Sequence, residues 1–382
     1  MATKLKAPFP YFGGKSAIAH CVWARLGNVR NYIEPFAGSA AMLLLRPHAP
    51  QIETINDANC FVANFWRATQ RDPAAVVEHC DHPVNEADLH AWHRYLVLSP
   101  ASAEFRKRMR LDPDYFDPII AGRWAWGQCQ WIGGGWCAHN DGPGRRPALS
   151  NGLGDGVLKN SIPDLSGHRG ATGRGLHSVG WKQRPKLSEG TGNGVHAKLP
   201  RLSGYSGTGV HSKRPALGNS RGVFNELESH EGATREAWLL EWFGRLRDRL
   251  RSVRVCCGGW SRVCSSPSVT TRIGLTGVFL DPPYLGEIDG AKSRDDKLYG
   301  TEDLKIAHKV RDWCLAHGSD PMFRIALCGL EGEHNQLEPA GWLKLEWKSH
   351  GGYGNRGANP NRHRERIWFS PHCCSSEILT LF

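Results

Sequence analysis

Apolar positions in the first seventy residues alternate between helical and strand periodicity. Ile18, Val22 and Leu26 share one face, which predicts a short helix over Ser16–Leu26. Asn31–Glu34 is a short strand that runs into the turn Pro35-Phe36-Ala37-Gly38-Ser39, and Ala40–Leu45 begins a second helix. Ile52–Asn56 is the next strand, ending at Asp57, and Phe61–Arg71 is helical again. Strand, glycine turn, helix, strand and acidic residue is the order of a nucleotide-binding βαβ unit. From Pro73 to Gly122 the pattern is amphipathic and helical, interrupted at Pro83, Pro100, Pro113 and Pro118. The segment Gly122–Gly127, with Trp124 and Trp126, and the later Trp131 and Trp136 are predicted to form an aromatic loop cluster that packs a local core.

Regular periodicity returns after Gly222. Thr234 is placed to cap a helix reaching Leu250, with Ala237, Leu240, Phe243 and Leu246 as its buried stripe. Strands follow at Val253–Cys257, Gly277–Leu280, Phe323–Cys328, Trp342–Trp347 and Glu365–Phe369. A helix starting at Thr301-Glu302-Asp303 reaches His317 and stops at Gly318. The α/β pattern is therefore split: residues 1–72 form a first half, 73–233 an insert (73–139 helical and Trp-rich, 140–222 basic and Gly-rich), and 234–382 a second half.

The insert carries a repeat. Pro147, Pro163, Pro185, Pro200 and Pro215 each open a Pro-x-Leu copy, and the first four lead to a Gly-x-Gly turn followed by Val or Leu. The retained apolar positions suit short turns or hairpins with a thin shared core, and a flexible basic tether is the alternative.

Charge singles out the same region. The chain has 382 residues, 48 Lys+Arg against 37 Asp+Glu, and a formal charge of +11. Residues 140–222 hold 13 Lys+Arg against 4 Asp+Glu, so +9 of that charge is local and +2 is left for everything else. A polyanion, with nucleic acid first, is the expected partner. Hydrophobic residues are 40% of the chain, enough for a core, yet no apolar run approaches the ~18–20 residues of a membrane span. Met1–Tyr11 lacks the apolar stretch of a signal peptide. A soluble, cytoplasmic protein follows as the expectation. The 12 Cys form no CxxC pair and are read as reduced thiols.

Three motifs carry chemistry. Asp281-Pro282-Pro283-Tyr284 directly follows an apolar strand. A carboxylate and a nearby carbonyl can accept both protons of an exocyclic amine, the prolines remove competing N–H donors, and a Tyr ring can stack on an extruded base. Alone, the tetrapeptide is also an ordinary turn. The glycine turn Glu34–Ser39 lets a cofactor approach the backbone, and Asp57, about 20 residues on, suits ribose hydroxyls. Pro10–Ser16 contains Gly13-Gly14-Lys15-Ser16 but lacks the first glycine and the leading strand of a phosphate loop, which excludes nucleoside triphosphate binding. Lys15 is read either as a carboxylate partner or as a surface lysine at a helix start.

In order and spacing these motifs resemble the D12-class, Dam-like N6-adenine DNA methyltransferases of the alpha group, over about residues 7–72 and 253–370. The resemblance implies an α/β fold: a class I, Rossmann-like core with a large inserted target-recognition region. It implies S-adenosylmethionine as cofactor, held by Tyr11, Gly14, Lys15, Glu34, Pro35, Phe36, Gly38, Ser39, Asp57 and Asp281, and a target adenine held by Asp281, Pro282, Pro283 and Tyr284. DNA is the implied partner. The candidate phosphate contacts are Arg145, Arg146, Arg174, Lys182, Arg184, Lys186, Lys198, Arg201, Lys213 and Arg214 in the insert, with Arg356, Arg362 and Arg364 near the C-terminus. A cognate restriction nuclease is a candidate second partner, and the repeats resemble inserts of phage-type adenine methylases. No metal and no membrane are implied. One departure stands out: Gly258-Gly259-Trp260 occupies the place where relatives carry an acid near the cofactor's adenine, so that contact falls to backbone groups or Trp260. The alternatives are methylation of cytosine N4 or RNA adenine, or an inactive DNA-binding protein on a methylase scaffold. Metal binding by His177, His196 and His211 matches no standard ligand spacing.

Overall fold

The computed structural model describes residues 5–11, 13–131, 136–137, 234–284, 287–288, 291–292, 306–347 and 363–375. All of them fall in one of the chain's two compact units, Met1–His139 with Val210–Phe382. The repeats, their histidines and every proposed phosphate contact except Arg364 lie outside the described residues.

Seven strands form one sheet in the order β3 (Val253–Cys257), β2 (Ile52–Asp57), β1 (Asn31–Glu34), β4 (Thr276–Leu280), β7 (Phe323–Leu330), β9 (Glu365–Phe369), β8 (Leu343–Glu346). The first five run parallel, whereas β9 is antiparallel to both β7 and β8. A separate ribbon pairs β5 (Glu287–Ile288) with β6 (Ala291–Lys292). This mixed α/β, mostly parallel sheet is that of the class I core expected from the motifs. The strand order reverses between β1 and β4, so a crevice opens outside their carboxyl ends, the usual ligand position in such sheets.

Ten helices surround the sheet among the described residues: α1 (Ala19–Leu26), α2 (Ala41–Leu44), α3 (Cys60–Arg71), α4 (Pro73–Cys80), α5 (Glu86–Leu98), α6 (Pro100–Leu111), α7 (Pro118–Gln130), α8 (Arg235–Leu250), α9 (Ser261–Cys264) and α10 (Ile306–His317). The prolines act as punctuation. Pro73, Pro100 and Pro118 occupy first turns, and Asp72, Ser99 and Asp117 cap those helices through their side chains.

Two expectations need correction. The segment Gly122–Gln130 is helix, not loop, although its tryptophans do form a core: Trp124 and Trp126 are fully buried. Its glycines are there for close approach. A Cβ on Gly122 would lie 2.5 Å from His79 Cβ and 2.8 Å from the Val76 carbonyl, and one on Gly127 would enter the Trp136 ring. On α8 the predicted stripe has the wrong phase. Trp238, Leu239, Trp242, Phe243, Leu246 and Leu250 are buried, while Ala237 and Leu240 face solvent, because the two tryptophans claim the core side. Thr234 caps α8 as expected, accepting from Ala237 N at 3.2 Å.

α8 is tied to β2 by a buried ion cluster. Glu53 accepts from Arg46 Nη1 at 3.0 Å and from Arg249 Nη1 and Nη2 at 2.6 and 2.8 Å. All twelve cysteines are free and eight of them are buried. No described helix is long and apolar enough to cross a membrane.

Candidate active site

Local geometry brings the three motifs into one cleft. Asn56, buried at the end of β2, donates its amide to the Pro35 carbonyl (3.0 Å) and the Gly258 carbonyl (2.9 Å), which fastens the ends of β1, β2 and β3 together. Asp57 then accepts from Asn59 N at 2.8 Å and Gly38 N at 3.0 Å. The Gly38 carbonyl accepts from Trp66 Nε1 at 2.9 Å. Gly38 has φ +45°, and a Cβ there would lie 2.6 Å from the Tyr11 ring, so only glycine fits. Burial pushes the Asp57 carboxyl up to about 6, with the two backbone N–H groups pulling it back. Glu34 accepts from Tyr32 Oη at 3.1 Å and Leu43 N at 3.0 Å, and burial pushes it up to about 8.

On the other side of the cleft Lys15 is the hub. It is 3% exposed, which overturns the surface-lysine reading. Its Nζ donates to the Gly13 carbonyl at 2.8 Å and to Asp281 Oδ2 at 3.0 Å, and lies 3.7 Å from Glu365 Oε2. The Tyr284 ring centroid is 5.2 Å away and a Trp347 ring centroid 5.9 Å. Burial works against the ammonium charge, but the Asp281 and Glu365 carboxylates outweigh it and raise the lysine above its ordinary range. The Tyr284 hydroxyl lies 2.7 Å from Glu365 Oε2 and 3.2 Å from Asp281 Oδ1, so its single proton serves both.

Residues 11–117 match the family model for the D12 class N6 adenine-specific DNA methyltransferase. The chain carries a D12-class domain. It is accordingly an adenine-specific DNA methyltransferase whose methyl donor, by family, is S-adenosylmethionine. No curated protein matches the chain.

Of the residues expected at the methyltransferase site, Tyr11, Gly14, Lys15, Glu34, Phe36, Gly38, Ser39, Asp57, Asp281 and Pro283 line the cleft. Pro35 lends its carbonyl to Asn56, Pro282 is buried behind the cleft, and Tyr284 is placed through its hydroxyl. Arg364 contacts the Glu331 carbonyl at 3.5 Å. Trp260 is not among the lining residues. It stacks on Phe36 with centroids 6.2 Å apart, so it supports a wall residue.

Several contributors escaped sequence reasoning. Trp124, Gln128, Trp136 and Cys137 form a wall supplied by α7 and the segment after it, and no local motif marks them. Glu365 did leave a signal, an acid opening an apolar strand. The cleft suits S-adenosylmethionine: a carboxylate held, among the described residues, by backbone N–H groups at the β2 end could take ribose hydroxyls, while the Tyr11 ring packs over Gly38. Among the described residues no group of His, Cys, Asp and Glu could hold a metal ion.

Proposed function

We propose that Asp281 and Tyr284 receive a flipped adenine in the crevice between β1 and β4, and that Asp57, the Glu34–Ser39 turn and Gly14-Lys15 receive the cofactor. The observation that carries this reading is the Lys15–Asp281 pair, which joins the cofactor-side segment to the target-side motif at 3.0 Å inside one cleft. When bound, S-adenosylmethionine supplies an electrophilic methyl carbon. Asp281, steadied by Lys15 and Tyr284, accepts one N6–H of adenine, and the Pro282 carbonyl accepts the other. The nitrogen lone pair is thereby aimed out of the ring plane. Tyr284 stacks on the base and excludes water from one face. Orientation and desolvation account for most of the acceleration.

In this reading residues 140–222 hold DNA. Their +9 charge supports it, because neutralised phosphates release counterions and make binding steeply salt-dependent.

The test is nucleoside mass spectrometry of DNA and RNA incubated with the protein and S-adenosylmethionine. N6-methyladenine in DNA alone is expected, and Asp281→Ala lowers its yield about 1000-fold or more while DNA binding persists. N4-methylcytosine, methylated RNA, or undiminished transfer by Asp281→Ala refutes the assignment.

A further inference from the structure

We propose that Glu365 is a positioning residue for methyl transfer, acting through the Tyr284 hydroxyl. This rests on the reading of Tyr284 as the platform for the target base. Topology explains how a residue so late in the chain reaches the site. The parallel strands present their last residues at the crevice. β9 runs the other way, so it presents its first residue there, and Glu365 pairs with Leu330 at the carboxyl end of β7.

The placement is costly unless it serves something. All five residues of β9 are buried, and a carboxylate in such a strand loses its hydration. An apolar residue would pack there without that penalty. Glu365 instead meets two partners, both in the site: Tyr284 Oη at 2.7 Å and Lys15 Nζ at 3.7 Å. The Tyr284 bond to Glu365 is shorter than its bond to Asp281 at 3.2 Å, so Glu365 sets where the ring stands. Burial also raises the Glu365 pKa, with Lys15 opposing it, which fits a carboxylate that leans on its neighbours. Glu365 follows His363 and Arg364 directly, so a segment proposed to meet phosphates is one residue from the group that holds the base platform.

A double-mutant cycle tests this with the full-length protein, tritiated S-adenosylmethionine and unmethylated DNA, read as single-turnover methyl transfer. Glu365→Ala and Tyr284→Phe are each expected to slow transfer about 10- to 100-fold, the range for losing a hydrogen bond to a charged group. The double variant should be no slower than the slower single, and the KM for cofactor should stay within about twofold. Glu365→Gln, whose amide oxygen still accepts from the hydroxyl, should restore most of the rate. Multiplicative losses, an unaffected Tyr284→Phe, or a Glu365→Gln as slow as Glu365→Ala would overturn the proposal. Should Glu365→Ala fail to fold, Glu365→Asp replaces it: retracting the carboxylate must slow the wild-type background and leave the Tyr284→Phe background unchanged. A wild-type protein that transfers no methyl to DNA refutes the underlying reading instead.

Discussion

Two buried ion clusters in this molecule use the same groups in opposite proportions. Near α8 one carboxylate, Glu53, lies between two guanidinium groups, and both its oxygens receive N–H donors at 2.6–3.0 Å. In the cleft one ammonium, Lys15, lies between two carboxylates, helped by one hydroxyl proton. In the first cluster the carboxylate is saturated with donors, and the cluster sits at a helix–strand contact. The second is rich in acceptors and carries formal negative charge. An amine with two N–H donors, next to a cationic sulfonium, is the kind of guest such a cluster lacks. On the proposed reading of the cleft, buried charge of similar cost thus serves cohesion in one place and reception in the other.

Removing the central residue of each cluster separates the two roles most strongly. Lys15→Met and Glu53→Gln should each destabilise the fold by about 3–5 kcal/mol, because like charges are left buried and uncompensated. Denaturant unfolding checks this. Only Lys15→Met should also abolish methyl transfer in the fraction that remains folded. Equal loss of turnover per folded molecule in both variants would erase the distinction.

A weaker effect comes from Asp57, an acid held by backbone N–H groups rather than a cation. Its carboxyl moves from 3.8 to about 6 in the fold because burial disfavours the charged form. Below about pH 4 both folded and unfolded states hold the proton, and Asp57 costs the fold nothing. Between pH 4 and pH 6 the unfolded chain has lost the proton and the folded one retains it, so stability falls as pH rises. The ionised form is the better acceptor for ribose hydroxyls. The cofactor Kd should therefore fall about tenfold from pH 5 to pH 7, as the ionised fraction rises from roughly one-tenth to nine-tenths. Titration calorimetry reads this directly, and a Kd independent of pH would detach Asp57 from the cofactor.

At pH 4 the smallest effect belongs to Glu34. At pH 7 its carboxyl is mostly protonated, having been pushed up to about 8 by burial. Glu34→Gln should change stability by less than about 1 kcal/mol at pH 4, where both states hold the proton. It should flatten the fall in stability between pH 4.5 and pH 8 that wild-type protein shows. A variant that keeps the wild-type slope would place the titration elsewhere.

The sequence revealed whatever depended on neighbours along the chain. The βαβ unit, the turn at Gly38 and the DPPY tetrapeptide were legible because strand periodicity and turn chemistry are local. What was missed depended on distant partners. Lys15 could be read as a carboxylate partner or as a surface lysine, but which carboxylates it meets became legible only when Asp281 and Glu365 closed over it. Gly122 and Gly127 imitated loop glycines, and only the positions of His79 and Trp136 explain them. The α8 stripe slipped in phase because helical spacing alone does not say which of two apolar faces the tryptophans will bury.

The Lys15 cluster also has a history within each molecule. Its members are separated by almost the whole polypeptide: residue 15 emerges from the ribosome first, residue 281 much later and residue 365 last. At ~5–20 residues per second, roughly 20–70 s pass between the first partner and the third. During that interval β9 is missing from the sheet and Tyr284 has no Glu365 to hold it. On the proposed reading, a growing chain lacks this contact until its last strand has been made. The cluster is completed in one late step, when β9, antiparallel to both its neighbours in the described sheet, pairs with β7.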